Sequence, residues 1–167
     1  MSGGTARDPA GLPPAEHYEQ WMREALTLAR EAAAAREVPV GAVVVRWGTV
    51  IGRGRERKIE LSDPTAHAEV LALREAAASL GDWRLEDCAL FVTLEPCPMC
   101  AGAALLARVP LVVYGAANVK FGAIETRDSL LSGPAWNHRV RTVGGVLADE
   151  AAALLTEFFA AKRSGGL

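Results

Sequence analysis

Residues 89–114, ALFVTLEPCPMCAGAALLARVPLVVY, decide how this chain folds. Residues 89–94 form an apolar run of strand length. Residues 97–107 are small and helix-favouring, with Pro98 in the first turn, where proline is tolerated, and residues 111–114 are a second buried strand. Strand, helix and strand in succession make a β-α-β unit, which lays two strands side by side under a covering helix. Upstream, the Ala/Leu-rich residues 66–80 predict a helix that starts at Pro64 and Thr65, with Thr65 as N-cap and Gly81 as stop. Residues 40–45 and 49–52 are β-rich and separated by Trp47 and Gly48, which predicts a tight hairpin followed by a basic loop. Between residues 16 and 36 the apolar positions Tyr18, Trp21, Met22, Ala25, Leu28, Ala29 and Ala32 recur at three and four, the spacing of an amphipathic helix that ends before Pro39. Downstream, residues 116–139 are polar, Gly-containing and too long for a mere connection, so they are expected to shape a site. Residues 140–146 read as a fifth strand and residues 149–162 as a last helix, with Leu154, Leu155, Phe158 and Phe159 facing inward. The pattern predicts an α/β fold with one mixed five-stranded sheet and helices on both faces.

The 167 residues, half of them hydrophobic, suffice for one domain, expected over residues 15–163, between a Gly/Pro-rich disordered tail at 1–14 and a short tail at 164–167. No apolar run reaches the roughly 18 residues of a membrane span, and no basic segment leads into a hydrophobic stretch at the N-terminus, so a cytoplasmic location without membrane contact is expected. Three cysteines are too few for a disulfide framework; the C-x-x-C pair leaves metal binding, redox chemistry or core packing open, and Cys88 reads as a small core residue. The net charge of −2 excludes a polycation, so any nucleic acid would need a local basic patch.

Two motifs together narrow the chemistry: A66-H67-A68-E69, then, thirty positions on from His67, P96-C97-P98-M99-C100. Three protein ligands with the fourth position open is the pattern of a catalytic zinc site, and His67, Cys97 and Cys100 supply three. Two helix N-termini would face the metal and favour thiolate over thiol. Glu69 diverges from His67 by about 200° on a helix and suits a place beside the metal, moving a proton from water to a leaving group. H-x-E followed by P-C-x-x-C is the signature of zinc-dependent nucleobase deaminases.

The stretches SDPTAHAEVLALREA, FVTLEPCPMCAGA, VVYGA, NHR and GVLADEAAALLTEFF resemble the bacterial tRNA-specific adenosine deaminases, the TadA family, over residues 18–163. The resemblance implies a three-layer αβα cytidine-deaminase-like fold, one Zn2+ per subunit, a homodimer, and conversion of adenosine to inosine at the wobble position of a tRNA anticodon stem-loop. It assigns His67, Cys97 and Cys100 to the metal and Glu69 to the proton shuttle. Pro96, with Glu95, matches the turn before the first cysteine, Val40 with its neighbours matches a wall of the base pocket, and Asn137 matches a nucleotide-contacting asparagine. From residue type alone, Asn137 is a loop-capping residue.

Three departures fall on the substrate rim. Glu56 stands where relatives usually carry an asparagine that reads the base edge, Asn118 stands where they carry an acid, and residues 122–128 replace a small-residue stretch. An ionised glutamate only accepts hydrogen bonds, whereas asparagine also donates. The departures keep an alternative substrate open, a free nucleobase, nucleoside or other small aminated heterocycle such as guanine or cytosine. A third reading is a zinc module without turnover. Arg46, Arg53, Arg55, Arg57 and Lys58 are expected near the pocket, with Arg139, Arg141, Lys162 and Arg163 adding to that face, either binding phosphates or keeping a hairpin edge soluble. The Ala/Leu-rich helices at 70–78 and 101–107 carry more than one apolar stripe, as a homodimer interface would.

Overall fold

A computed structural model describes residues 11–166, so most of the tail expected over 1–14 lies outside the described residues. After a 3-10 turn at Ala15–His17, the elements are α1 (Tyr18–Ala34), β1 (Gly41–Arg46), β2 (Thr49–Arg55), α2 (Lys58–Leu61), α3 (Ala68–Leu80), β3 (Cys88–Leu94), α4 (Pro98–Leu106), β4 (Leu111–Ala116), a second 3-10 turn (Leu130–Ser132), β5 (Arg141–Val143) and α5 (Ala148–Arg163). The strands form one mixed sheet in the order β2-β1-β3-β4-β5. β1 is antiparallel to β2 and β3, whereas β3, β4 and β5 run parallel.

Side chains alternate across the strands and so feed two cores. Val44, Leu90, Val92 and Val112 meet Ala72, Leu73, Ala101 and Leu105 under α3 and α4. Val43, Val45, Phe91 and Val113 meet Trp21, Met22 and Leu26 of α1 and Ala151 of α5. Three layers result, and no described helix is long and apolar enough to cross a membrane.

Several local expectations are corrected. β2 runs on through Arg55, so Arg53 and Arg55 stand on a strand and not in a loop. The glycines that alternate with them explain why: a Cβ at Gly52 or Gly54 would lie 2.3 Å from the Ala72 carbonyl or 2.1 Å from that of Ala68, so their absence of side chain is what lets α3 lie flat on the strand. Helix α3 begins at Ala68 and not at Pro64 or Thr65, because the Thr65 hydroxyl and N–H both donate to Asp63 at 2.7 and 2.8 Å, closing a local turn. That leaves His67 as N-cap. On α1, Leu26 takes the buried place and Leu28 is only partly covered. The fifth strand is three residues long, since Gly145 turns to positive φ. On α5, Ala151 and Phe158 are buried and Phe159 is 39% exposed.

Candidate active site

The parallel strands β3 and β4 end at Leu94 and Ala116, and the segments leaving those two ends build the site, as is usual at the carboxyl ends of parallel strands. Cys97 is the N-cap of α4, Pro98 comes next in its first turn, and Cys100 lies one turn in. His67 caps α3 opposite. N-cap side chains ordinarily bond their own helix, but neither His67 nor Cys97 does so, which leaves both free to serve as ligands.

His67 Nδ1 lies 3.7 Å from Cys97 Sγ and 3.4 Å from Cys100 Sγ, and the three donor atoms all lie within 4.8 Å of one another. Tetrahedral zinc, with Zn–S near 2.3 Å and Zn–N near 2.0 Å, requires N···S edges of about 3.5 Å. The residues present therefore fit zinc. Their protonation reflects this crowding. A hydrogen bond from Cys100, aided by His67 and opposed by burial, pulls the Cys97 thiol down to about 4. Cys100 is pushed up by that same bond and by burial, and His67 is raised chiefly by its bond to Cys97.

Glu69 stands outside the ligand triad and lines the same cavity of about 670 Å³. Burial, only partly offset by its own backbone N–H, Cys100 and His67, pushes its carboxyl up to about 7. A carboxyl poised near neutrality can both take and return a proton.

Val40 and Val38 form an apolar wall of the cavity. Glu56 lines it too, but its carboxylate is already engaged: Oε1 lies 3.3 Å from Lys58 Nζ, and it accepts the Ala68 N–H at the start of α3. Burial raises its pKa against the charges of His67 and Lys58. Asn118 lines the cavity with its amide turned to the loop, where Oδ1 accepts the N–H groups of Lys120 and Phe121 at 3.3 and 3.1 Å and Nδ2 donates to the Glu95 carbonyl at 3.4 Å. Pro96 is buried behind the site and its carbonyl accepts from Ala123 N–H at 2.9 Å. Asn137 is not brought to the cavity; it is exposed and its Oδ1 accepts from Arg108 at 3.0 Å.

Two features carry no clear signal in the sequence. Glu95 gathers the loop after β4: its carboxylate accepts the N–H groups of Asn118 (3.1 Å), Ile124 (3.2 Å), Glu125 (2.8 Å) and Thr126 (2.9 Å), and the Thr126 hydroxyl. Burial opposes ionisation, yet these donors hold its carboxyl below the usual range. A Cβ at Gly122 would fall 2.4 Å from Glu95 Oε2, so only glycine lets the loop close on it. The second feature is α5, whose Leu155, Thr156, Phe159 and Arg163 form a wall of the cavity. Along the chain, Leu155 and Phe159 read only as inward-facing core residues and Arg163 only as one of several cations near the pocket, so their joint place in the cavity wall is not legible there.

The basic run is also dispersed. Arg46 sits at the opposite end of β1, paired with Asp87 at 2.8 Å. Arg53, Arg55 and Arg57 line a separate groove at the β2 edge and are answered by Glu24 and Glu60. Of the five, Lys58 alone lines the active-site cavity.

A family profile of MafB19-like deaminases matches residues 16–163. The chain is 55% identical over 155 residues to a tRNA(Ile)-lysidine synthase of Deinococcus radiodurans, covering 92% of this chain but only 26% of that protein, so it spans about a quarter of that relative's length. It is 44% identical over 144 residues to the tRNA-specific adenosine deaminase of Streptococcus pyogenes serotype M1, covering 86% of this chain and 84% of that one. Among solved structures, it resembles a tRNA:A34 deaminase (43% identity, TM-score 0.79, 81% of this chain and 99% of that one) and a guanine deaminase from Nitrosomonas europaea (32% identity, TM-score 0.72, 85% and 84%). The matched residues include the His67, Glu69, Cys97 and Cys100 constellation, and the chain belongs to the MafB19-like deaminase family together with the tRNA-specific adenosine deaminases.

Proposed function

We propose that this protein is a zinc-dependent hydrolytic deaminase that converts adenosine to inosine at the wobble position of a tRNA anticodon, acting as a cytoplasmic homodimer. The observation that carries the reading is the placement of Glu69 beside a ligand set that fits zinc, inside a cavity of a size that takes a nucleoside. His67, Cys97 and Cys100 would hold the zinc, which would supply Lewis-acid activation of a water molecule. Glu69 takes a proton from the attacking water and delivers it to the purine ring nitrogen; it then takes the remaining proton of the added hydroxyl and passes it to the departing amino group, so that the C–N bond breaks as the carbonyl forms. Adenosine and water thereby become inosine and ammonia. Val38, Val40 and Leu155 keep the reacting base in apolar surroundings, where the Glu69 proton is held from bulk water.

The charge arrangement favours a polynucleotide over a free base. The acids lining the cavity, Glu56, Glu69 and Glu95, are buried, whereas the cations Lys58, Lys120 and Arg163 reach solvent. A phosphodiester backbone would meet positive charge at the mouth. A guanine-type substrate would call for a free carboxylate at Glu56, and that carboxylate is engaged by Lys58 and the α3 backbone. Apolar Ala101, Ala104 and Leu105 of α4 are buried within the subunit while Met99 and Leu106 are exposed, which supports a dimer contact on the outer side of α4. Ammonia release from an anticodon stem-loop, measured beside a panel of free bases and nucleosides, tests the substrate: release from the stem-loop supports the reading, and release from guanine or cytosine alone contradicts it.

A further inference from the structure

We propose that Lys58 positions a phosphate next to the target nucleotide, and that Glu56 serves to hold Lys58 in place and does not read the base. This rests on the polynucleotide reading above. Glu56 has a side chain only 5% exposed, and its Oε1 lies 3.3 Å from the ammonium of Lys58, which remains 41% exposed at the cavity mouth. A buried carboxylate needs a partner, and here the partner is a residue that reaches the substrate path. Lys58 carries three donors, of which Glu56 engages one side, leaving the ammonium able to meet an anion.

The backbone beneath Lys58 is pinned from several directions. Glu37 Oε1 accepts the Glu60 N–H at 2.8 Å, Asp63 N–H donates to the Lys58 carbonyl at 3.1 Å, and Leu61 N–H donates to the Arg57 carbonyl at 3.0 Å. Arg55 and Arg57 both turn to Glu60, at 2.9 and 3.0 Å, and so away from the cavity. The short helix α2 thus sorts a basic run into two arginines that share Glu60 on a separate groove and one ammonium, paired with Glu56, that lines the active site. A neutral heterocycle has no use for that ammonium, whereas a nucleotide within RNA has a phosphate on each side of its ribose.

The test uses the zinc-loaded full chain and an anticodon stem-loop at three salt concentrations. Inosine formation by the unmodified protein checks the underlying reading; its absence, with ammonia released from a free base, would sink that reading, and this proposal with it. Given turnover, Lys58→Met is expected to raise KM about tenfold with kcat within about twofold. It should also flatten the dependence of log(kcat/KM) on log[salt] by roughly 0.7, one single-strand phosphate contact. Lys58→Arg should recover most of the loss. Because Lys58→Met leaves the Glu56 charge buried alone, the double variant Glu56→Gln/Lys58→Met is measured too, and the same rise in KM is expected. Unchanged KM and salt slope in both, even with lowered thermal stability, would make the pair purely structural and overturn the proposal.

Discussion

Replacing Glu95 by glutamine isolates what holds the loop after β4 without changing side-chain size. The carboxylate receives four backbone N–H groups and one hydroxyl, with Oε1 taking Ile124, Glu125 and Thr126 and Oε2 taking Asn118 and the Thr126 hydroxyl. In Glu95→Gln the amide oxygen can keep the first three, now as neutral bonds, and the Thr126 hydroxyl can rotate to accept. The Asn118 N–H then faces an NH₂ group and is left without an acceptor. Such an unpaired donor costs about 1–3 kcal/mol, and each bond that loses its charge weakens by up to about 1 kcal/mol. Together these come to about 3 kcal/mol. For a chain of this size that lowers Tm by roughly 6–12 °C. Zinc content should be unchanged, because Glu95 contacts the loop and not the ligand triad, while KM should rise as Lys120 and Phe121 lose their fixed places at the mouth. Calorimetry with metal analysis checks this, and a Tm within about 2 °C of the unmodified protein would refute the role given to Glu95.

Cys100→Ala should remove a ligand and leave less than about one zinc per ten chains after dialysis; full stoichiometry by metal analysis would reject the ligand set. Light scattering at micromolar concentration should give twice the chain mass, and a monomer would remove the interface proposed on α4. Asp87 is held below the usual carboxylate range by Arg46 and Trp47, against the opposing effect of burial. A carboxyl depressed on folding stabilises above its unfolded value of about 3.9, and the contribution is lost as pH falls through the folded value. Asp87→Asn should therefore lose about 1 kcal/mol near pH 7. The gap from the unmodified protein should close as pH falls below the ordinary aspartate range in denaturant titrations; a gap independent of pH would contradict the assignment.

The β-α-β unit at 89–114 is readable in the sequence because alternation and length agree there with one outcome, and the His67, Glu69, Cys97 and Cys100 constellation is readable because the ligand chemistry allows few substitutes. The features that the sequence hides depend on partners far away along the chain. Gly52 and Gly54 look like loop residues until α3 is seen pressed against them. Thr65 has the right chemistry for an N-cap, but Asp63 claims its hydroxyl first. The five basic residues between 46 and 58 look like one cluster along the chain, and strand direction sends Arg46 to one end of the sheet and Lys58 to the other. Asn137 matches a nucleotide-contacting position, yet Arg108, 29 residues away, holds it outside the cavity. The role of Glu95 cannot be read from E-P-C, since the donors it gathers come from a loop with no periodic signal.

Deamination by a Glu69-dependent proton shuttle within RNA is tested most directly by mass spectrometry of an anticodon stem-loop after incubation with the zinc-loaded protein and with Glu69→Gln. The protein should exchange the amino group of the wobble adenosine for oxygen, leaving every other nucleotide unchanged. Glu69→Gln, with zinc retained, should slow that conversion by a factor of about a hundred to ten thousand. An unaltered wobble adenosine with the unmodified protein, or equal conversion by Glu69→Gln, would contradict the account.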